Sequence, residues 1–262
     1  MANQEKNVMR RLEGKVILVA GAGGIGGGLA ERYAAEGAQV VLGDISVASA
    51  EAVVGEIEQA GGTAKAIHLD GADEESIQAA IAVCVNSYGG LDGLHANFAS
   101  FADSNPEQGI IELPLDTYDE VQRVNARGFY LCTRAALPVL VERGGGAIVY
   151  TSSSGAYNSG LGHVAYAMSK AAGHALMRHV AMRYGPQGVR ANTLAPALTL
   201  HANNEMFVPA QMVEMAKKGA SIKSRVGRPE DLAAMGALLL SDEGAYITGQ
   251  VICIDGGTIM RS

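Results

Sequence analysis

The stretch that decides the fold is Val16-Ile17-Leu18-Val19-Ala20-Gly21-Ala22-Gly23-Gly24-Ile25-Gly26. A short, unbroken apolar run leads directly into G-x-G-x-x-G, and an amphipathic stretch follows over about 27–36. Such a run reads as a strand buried on both faces. The glycines permit a tight turn and a close backbone approach, and the helix behind them presents unpaired N–H groups and a favourable dipole. Between a strand and a helix the pattern reads as a cradle for a dinucleotide pyrophosphate, with Gly21, Gly23, Gly24, Ile25 and Gly26 as its contacts. The spacing alone carries less, because a chain with 34 glycines also produces it by chance in ligand-free turns.

Asp44 closes the second apolar run, 18 residues after Gly26. An acidic side chain there accepts hydrogen bonds from both ribose hydroxyls and repels a 2′-phosphate, so NAD is expected in preference to NADP. The competing reading of Asp44 is a cap for the helix that begins near Ser46.

Outward from this unit, strand-like runs recur at 39–43, 64–69, 93–96, 147–151, 191–195 and 251–254. Helical patterns lie between them at 47–60, 73–88, 115–141, 165–184 and 229–240. This alternation predicts an α/β fold, a doubly wound parallel sheet of about seven strands with helices on both faces. No repeat, charge run or Pro/Ser linker divides the chain, so a single domain over 1–262 is expected. The stretch 198–224 is the least regular. It carries Met206, Phe207, Met212 and Met215 among polar residues, which suits a substrate lid better than a core helix.

Composition narrows the partners. A formal charge of -7 with no basic cluster argues against nucleic acid. Cys84, Cys132 and Cys253 are odd in number and widely spaced, so neither a disulfide framework nor a CxxC metal site follows; a reducing cytoplasm suits them. The first 15 residues lack the apolar core of a secretory signal, and no apolar run has the length of a membrane span. Among the six histidines, His174 and His179 do not share a helix face, and no metal motif forms.

The chemistry is concentrated further on. Ser152-Ser153-Ser154-Gly155 ends a strand, and Tyr166 opens a helix 13 residues after Ser153, with Lys170 at i+4 on the same face. A free phenol titrates near pH 10 and is a poor base at neutrality. An adjacent ammonium and a positively charged nicotinamide both favour phenolate. Ser153 is placed to hydrogen-bond a substrate oxygen that gains negative charge during hydride transfer. YxxxK alone describes many ordinary amphipathic helices; its register with the serine strand and the glycine loop is what points to an alcohol/ketone oxidoreductase.

At these residues the chain resembles the tyrosine-dependent short-chain dehydrogenase/reductase family, in its compact subtype of about 250 residues. The resemblance runs from Lys15 to Gly257. It includes Val124-Asn125-Ala126, Asn192 with Ala195-Pro196, Gly227-Arg228-Pro229-Glu230-Asp231, and Ile247-Thr248-Gly249-Gln250 with Asp255-Gly256-Gly257. It implies a Rossmann-like fold, a homotetramer, and Asn125 as a fourth catalytic residue supporting a water between Lys170 and solvent. It also implies cofactor contacts from Asp70 with Gly71, Asn97, Pro196, Tyr166 and Lys170. Three departures stand out. The glycine loop is one residue shorter than the family's T-G-x-x-x-G-x-G and lacks its Thr, which again favours NAD. The family's N-N-A-G turn appears as Ala96-Asn97-Phe98-Ala99. After Pro196 the usual Gly and Thr are replaced by Ala197-Leu198-Thr199-Leu200-His201, so the nicotinamide carboxamide contact falls to Leu198 backbone or Thr199.

The expected pocket walls are 98–108, 154–163 and the 198–224 lid, offering Phe98, Phe101, Tyr157, Leu161, His163, Met206 and Phe207. They hold no Lys or Arg before Lys217, whereas a carboxylate or phosphate substrate calls for a fixed cation. The substrate is therefore expected to be a fairly apolar secondary alcohol or ketone, with a cyclic or aromatic compound as one form. His201 also borders this region. Two other functions compete. A non-catalytic dinucleotide sensor or scaffold on the same fold has no use for Ser153, Tyr166, Lys170 and Asn125 together. A methyltransferase would use the glycine loop and Asp44 but leave that set unexplained.

Overall fold

A computed structural model describes residues 9–105, 109–158 and 163–260. The opening run forms β1 (Val16–Ala20), buried at every position as its apolar composition requires. It is followed by α1 (Gly24–Ala35), β2 (Gln39–Asp44), α2 (Val47–Gln59), β3 (Thr63–His68), α3 (Glu74–Tyr88) and β4 (Gly93–Ala96). The second half supplies α4 (Leu115–Val121), α5 (Gly128–Glu142), β5 (Gly146–Thr151), α6 (Val164–Tyr184) and β6 (Val189–Pro196). Then come α7 (Ala210–Gly219), α8 (Pro229–Leu240) and β7 (Val251–Ile254).

The strands form one sheet in the order β3-β2-β1-β4-β5-β6-β7, and each neighbouring pair is parallel. This is the doubly wound, Rossmann-like α/β fold that the alternation of strands and helices implied. One face packs Ile77, Phe129, Tyr150 and Met177 from α3, α5, β5 and α6. The other packs Leu29, Tyr33, Leu42 and Leu232 from α1, β2 and α8. Strand order reverses between β1 and β4, so a crevice opens beyond their carboxyl ends, where open α/β sheets bind their ligands.

Three elements differ from the sequence expectation. Helix α1 begins at Gly24 rather than near 27, although glycine costs a helix interior about 1 kcal/mol per residue. Tertiary packing outweighs that cost: a Cβ at Gly28 would stand 2.5 Å from the Pro229 side chain of α8. The helix expected over 115–141 is interrupted by a π-helical turn at Gln122–Arg127, a rare geometry that concentrates at functional sites. The stretch 198–224 contains α7, which buries none of its residues, and Met206 and Phe207 are 90% and 81% exposed.

The buried polar chain Tyr33–His95–Thr151 pins β4 and β5 beneath the crevice. Tyr33 Oη meets His95 Nδ1 at 2.7 Å, and His95 Nε2 meets Thr151 Oγ1 at 2.9 Å. Burial pushes the His95 imidazole down to about 3, so it sits there neutral. No helix of the described residues is long and apolar enough to cross a membrane.

Candidate active site

Tyr166, Lys170 and His174 lie one turn apart on the face of α6 that meets the carboxyl end of β5. Three consecutive residues receive them. The Lys170 ammonium donates to the Thr151 carbonyl at 2.8 Å, and Ser152 Oγ shares a 2.7 Å hydrogen bond with His174 Nε2. The Ser153 side chain lies beside the Tyr166 phenol and lowers its pKa. Strand and helix are thus locked in one register, which places the Tyr166 and Ser153 hydroxyls together at the mouth of the crevice. Ser153 also caps a short 3₁₀ turn, its Oγ accepting from Gly155 N at 3.0 Å.

Burial dominates the electrostatics. It pushes the Tyr166 phenol up to about 12; the Ser153 side chain pulls it down, and the Asp103 carboxylate pushes it further up. Lys170 is buried with its ammonium 4.6 Å from the centroid of Phe129 and 5.5 Å from that of Tyr166, and burial pushes it down to about 7. The sequence reading has Lys170 lowering the phenol's pKa; in the folded chain loss of hydration is the larger influence on both groups.

This has a stability consequence. Unfolded, the lysine titrates near 10.5, so between about pH 7 and that value the unfolded chain binds more protons and stability rises with pH. Above about 9 the buried thiols of Cys84 and Cys132, pushed up to about 12, reverse the slope, because unfolded thiols ionise first. Urea midpoints should therefore climb from pH 7 to 9, and Lys170→Met should flatten the climb. An equally steep slope in the variant would contradict this assignment.

Asn125 sits fully buried within the π turn. Its Oδ1 accepts from Ser100 N at 2.6 Å, and its Nδ2 donates to Ser100 O at 3.2 Å and Ser169 Oγ at 3.1 Å. Ser169 in turn donates to the Tyr166 carbonyl at 2.7 Å. Asn125 is thereby joined to Tyr166 through the backbone of α6.

The glycine loop is held from three sides. Gly21 adopts φ +103°, and a Cβ at Gly26 would fall 1.7 Å from the Gly21 carbonyl oxygen, so neither position accepts a side chain without moving backbone. Asp44 Oδ2 accepts from Ala22 N at 2.7 Å, and its Oδ1 accepts from Ser46 N at 2.8 Å. Asn97 Nδ2 donates to Gly21 O at 3.2 Å, tying the end of β4 to the loop. Helix α2 is capped by Ser46 itself, with Asp44 bracing that cap. Gly23, by contrast, is exposed, and its Cβ would meet nothing within 4 Å.

The remaining expected contacts are distributed unevenly. Asp70 Oδ1 accepts from Ala72 N at 2.8 Å beside buried Gly71. The Phe98 ring fills space that Gly71 and Gly128 leave free, packing on Phe129 at 5.4 Å, so it points into the core rather than toward Tyr166. Phe101 does reach the site, stacking on Tyr166 at 4.9 Å, and His163 stands edge-on to the same ring at 6.3 Å. Tyr157 lies 5.2 Å from His174. Met206 and Phe207 face solvent, while Leu161 and residues 106–108 of the expected walls lie outside the described residues. Beyond Pro196 and Leu198, buried Thr199 donates to Ala197 O at 3.1 Å and bridges to Gly227.

Two further neighbours stand at this end of the sheet: His201, expected from the sequence to border the pocket, and Asp103, which carried no signal there. The His201 ring lies over the start of α1, 2.1 Å from where a Gly24 Cβ would be. Asp103, in a loop where an Asp reads as a turn former, accepts from Tyr166 N. A cleft of about 870 Å³ borders the glycine loop at Ala22 and Gly24 and extends along α1 and α2 to the 198–224 stretch. It contains none of Ser153, Tyr166 or Lys170. Among the described residues no group of His, Cys, Asp and Glu is arranged to hold a metal.

Comparison with known proteins gives the family of the chain. The family model described as enoyl-(acyl carrier protein) reductase matches residues 19–258. A probable short-chain type dehydrogenase/reductase of Bradyrhizobium diazoefficiens is 40% identical, over 96% of this chain and 89% of that protein. The 2,5-dichloro-2,5-cyclohexadiene-1,4-diol dehydrogenase LinX of Sphingobium indicum is 37% identical, over 94% of this chain and 97% of its own. Among solved structures, a 7α-hydroxysteroid dehydrogenase complexed with NADH and 7-oxo glycochenodeoxycholic acid superposes with a TM-score of 0.88. It is 29% identical and matches over 100% of this chain and 99% of its own. The fold is that of a dinucleotide-fold oxidoreductase. The chain belongs to the short-chain dehydrogenase/reductase family.

Proposed function

We propose that this protein transfers hydride between NAD(H) and the carbinol or carbonyl carbon of a fairly apolar secondary alcohol or ketone, with Tyr166 as general acid/base. The observation that carries the reading is the convergence of Ser153, Tyr166 and Lys170 on the end of β5, beside a glycine loop at the strand-order reversal.

The residues fit the cofactor. Gly23 leaves the loop backbone open on its outer side at the N-terminus of α1, where N–H groups and dipole suit a pyrophosphate. Each Asp44 oxygen accepts one backbone N–H and retains acceptor capacity for a ribose hydroxyl, and its charge opposes a 2′-phosphate. Bound there, the nicotinamide supplies or accepts the hydride and, when oxidised, carries positive charge. Ser153 donates to the substrate oxygen. In reduction Tyr166, held protonated by burial, gives its proton to that oxygen; in oxidation it first releases its own proton toward Lys170 and, as phenolate, takes the proton of the alcohol. Lys170 keeps a proton-exchanging amine one helical turn below the phenol, and Asn125 holds the backbone of that turn.

Phe101 beside the phenol supplies an apolar wall, consistent with a neutral substrate. A relative named for a cyclohexadiene diol and a structural neighbour solved with an oxo bile acid support cyclic alcohols as the first compounds to try. The test is a screen of neutral secondary alcohols and ketones against anionic keto acids, each with NAD(H) and NADP(H). Turnover of neutral compounds with NAD(H) is expected, and Asp44→Ala should narrow the preference for NAD(H). Activity confined to keto acids, or a preference for NADP(H) in the unmodified protein, would overturn the substrate or the cofactor assignment respectively.

The same reading treats the chain as one domain with 198–224 as its lid. Exposed Tyr130, Met168 and Met182 on α5 and α6 support self-association, with a homotetramer as the expected form. The three cysteines, Cys84 and Cys132 of them buried, support a cytoplasmic location.

A further inference from the structure

Tyr166 is gripped from both ends by one short segment of chain. Asp103 is 1% exposed, and its Oδ2 accepts from Tyr166 N at 2.9 Å across 63 residues of sequence. Its Oδ1 has no hydrogen-bond partner among the described residues. Two residues earlier, Phe101 stacks on the Tyr166 ring with an interplanar angle of 24°. One residue before that, Ser100 is held through both its N–H and its C=O by Asn125. Residues 100–103 therefore connect two members of the proposed catalytic set.

An ordinary helix cap does not account for Asp103. A cap normally comes from the N-cap residue, and His163, in that place here, makes no side-chain cap bond. A Ser or Asn would accept the same N–H without burying a charge, and a buried carboxylate with a bare oxygen is costly. The dipole of α6 offsets part of that cost. What a carboxylate adds, and a neutral cap lacks, is a negative charge near the phenol. The titratable groups around that phenol are Lys170 one turn along α6, His163 just before the helix, and Asp103 from the 100–103 segment. Of these only Asp103 carries negative charge, so among the charged groups it is the one that adds to burial in opposing phenolate.

We propose that Asp103 is a positioning residue for Tyr166: it clamps the first turn of α6 to residues 100–103 and sets the pH range in which the phenol exchanges its proton. The inference rests on Tyr166 being the proton carrier. Asp103→Asn separates the two roles. The amide oxygen still accepts Tyr166 N, and because no donor meets Oδ1, the new NH₂ group confronts none there. In alcohol oxidation its pH–kcat limb should move toward acid, since removing a like charge favours phenolate. KM should change little. Asp103→Ala, which also loses the clamp and loosens Phe101, should raise KM for an apolar alcohol several-fold.

A readout independent of turnover is fluorine NMR of protein labelled with fluorotyrosine, the Tyr166 signal being assigned by its absence in Tyr166→Phe. Its titration should move toward acid in Asp103→Asn. If neither the pH limb nor the fluorine titration moves, or if Asn and Ala behave alike, the inference is overturned. If Tyr166→Phe keeps its activity, the functional reading fails instead, and the fluorine titration still reports whether Asp103 acts on the phenol.

Discussion

Tyr166→Phe is expected to lower kcat for secondary-alcohol oxidation by about 10²- to 10⁴-fold, the usual worth of a positioned general acid/base. The phenol has a proton to exchange and stands beside the Ser153 hydroxyl. Phenylalanine keeps the ring stacked on Phe101 and the helix face intact, so the folded state is retained. NADH affinity should fall by no more than about tenfold, the value of one neutral hydrogen bond. Paired measurement of kcat and of NADH fluorescence titration separates the two effects. Undiminished turnover in the variant would remove Tyr166 from the mechanism, and a sensor or scaffold on this fold would then become the better account.

Gly26→Ala should be the most damaging single change in the loop. The added methyl would sit 1.7 Å from the Gly21 carbonyl and 2.8 Å from Asn97 Nδ2, so the loop backbone has to move. Overpacking of this kind costs about 1–3 kcal/mol of stability, and here it also distorts the proposed pyrophosphate cradle. NADH binding should weaken by more than about tenfold, equivalent to about 1.4 kcal/mol. Gly23→Ala is the matched control. Its methyl meets nothing within 4 Å, so the melting temperature should hold while cofactor affinity drops, because that open side is where the dinucleotide would approach. If Gly26→Ala binds NADH normally, the loop is not the cradle; if Gly23→Ala does, the approach side is wrong.

The order of strands and helices, the loop at 21–26 and the Ser153–Tyr166–Lys170 register were legible in the chain because each depends on neighbours a few residues apart. Apolar periodicity marks strands and helices, glycine marks the turn, and i,i+4 spacing puts Tyr166 and Lys170 on one face. Contacts between distant segments left no such trace. Phe98 interrupts a family turn in the sequence, and only the space left by Gly71 and Gly128 shows where its ring goes. The π turn at Asn125, the His201 ring over Gly24 and the Asp103 bond to Tyr166 arise from segments that meet only when the sheet is assembled. Burial is likewise a property of the whole fold, and it adds an influence that residue types alone do not show. Lys170 beside Tyr166 in sequence suggests an ammonium coaxing a phenolate, whereas the packed interior holds the amine near 7 and the phenol near 12. Local order along the chain determined which residues meet at the end of β5. The dielectric of the assembled core, together with the carboxylate that a remote loop brings to Tyr166, decided in which protonation state they wait.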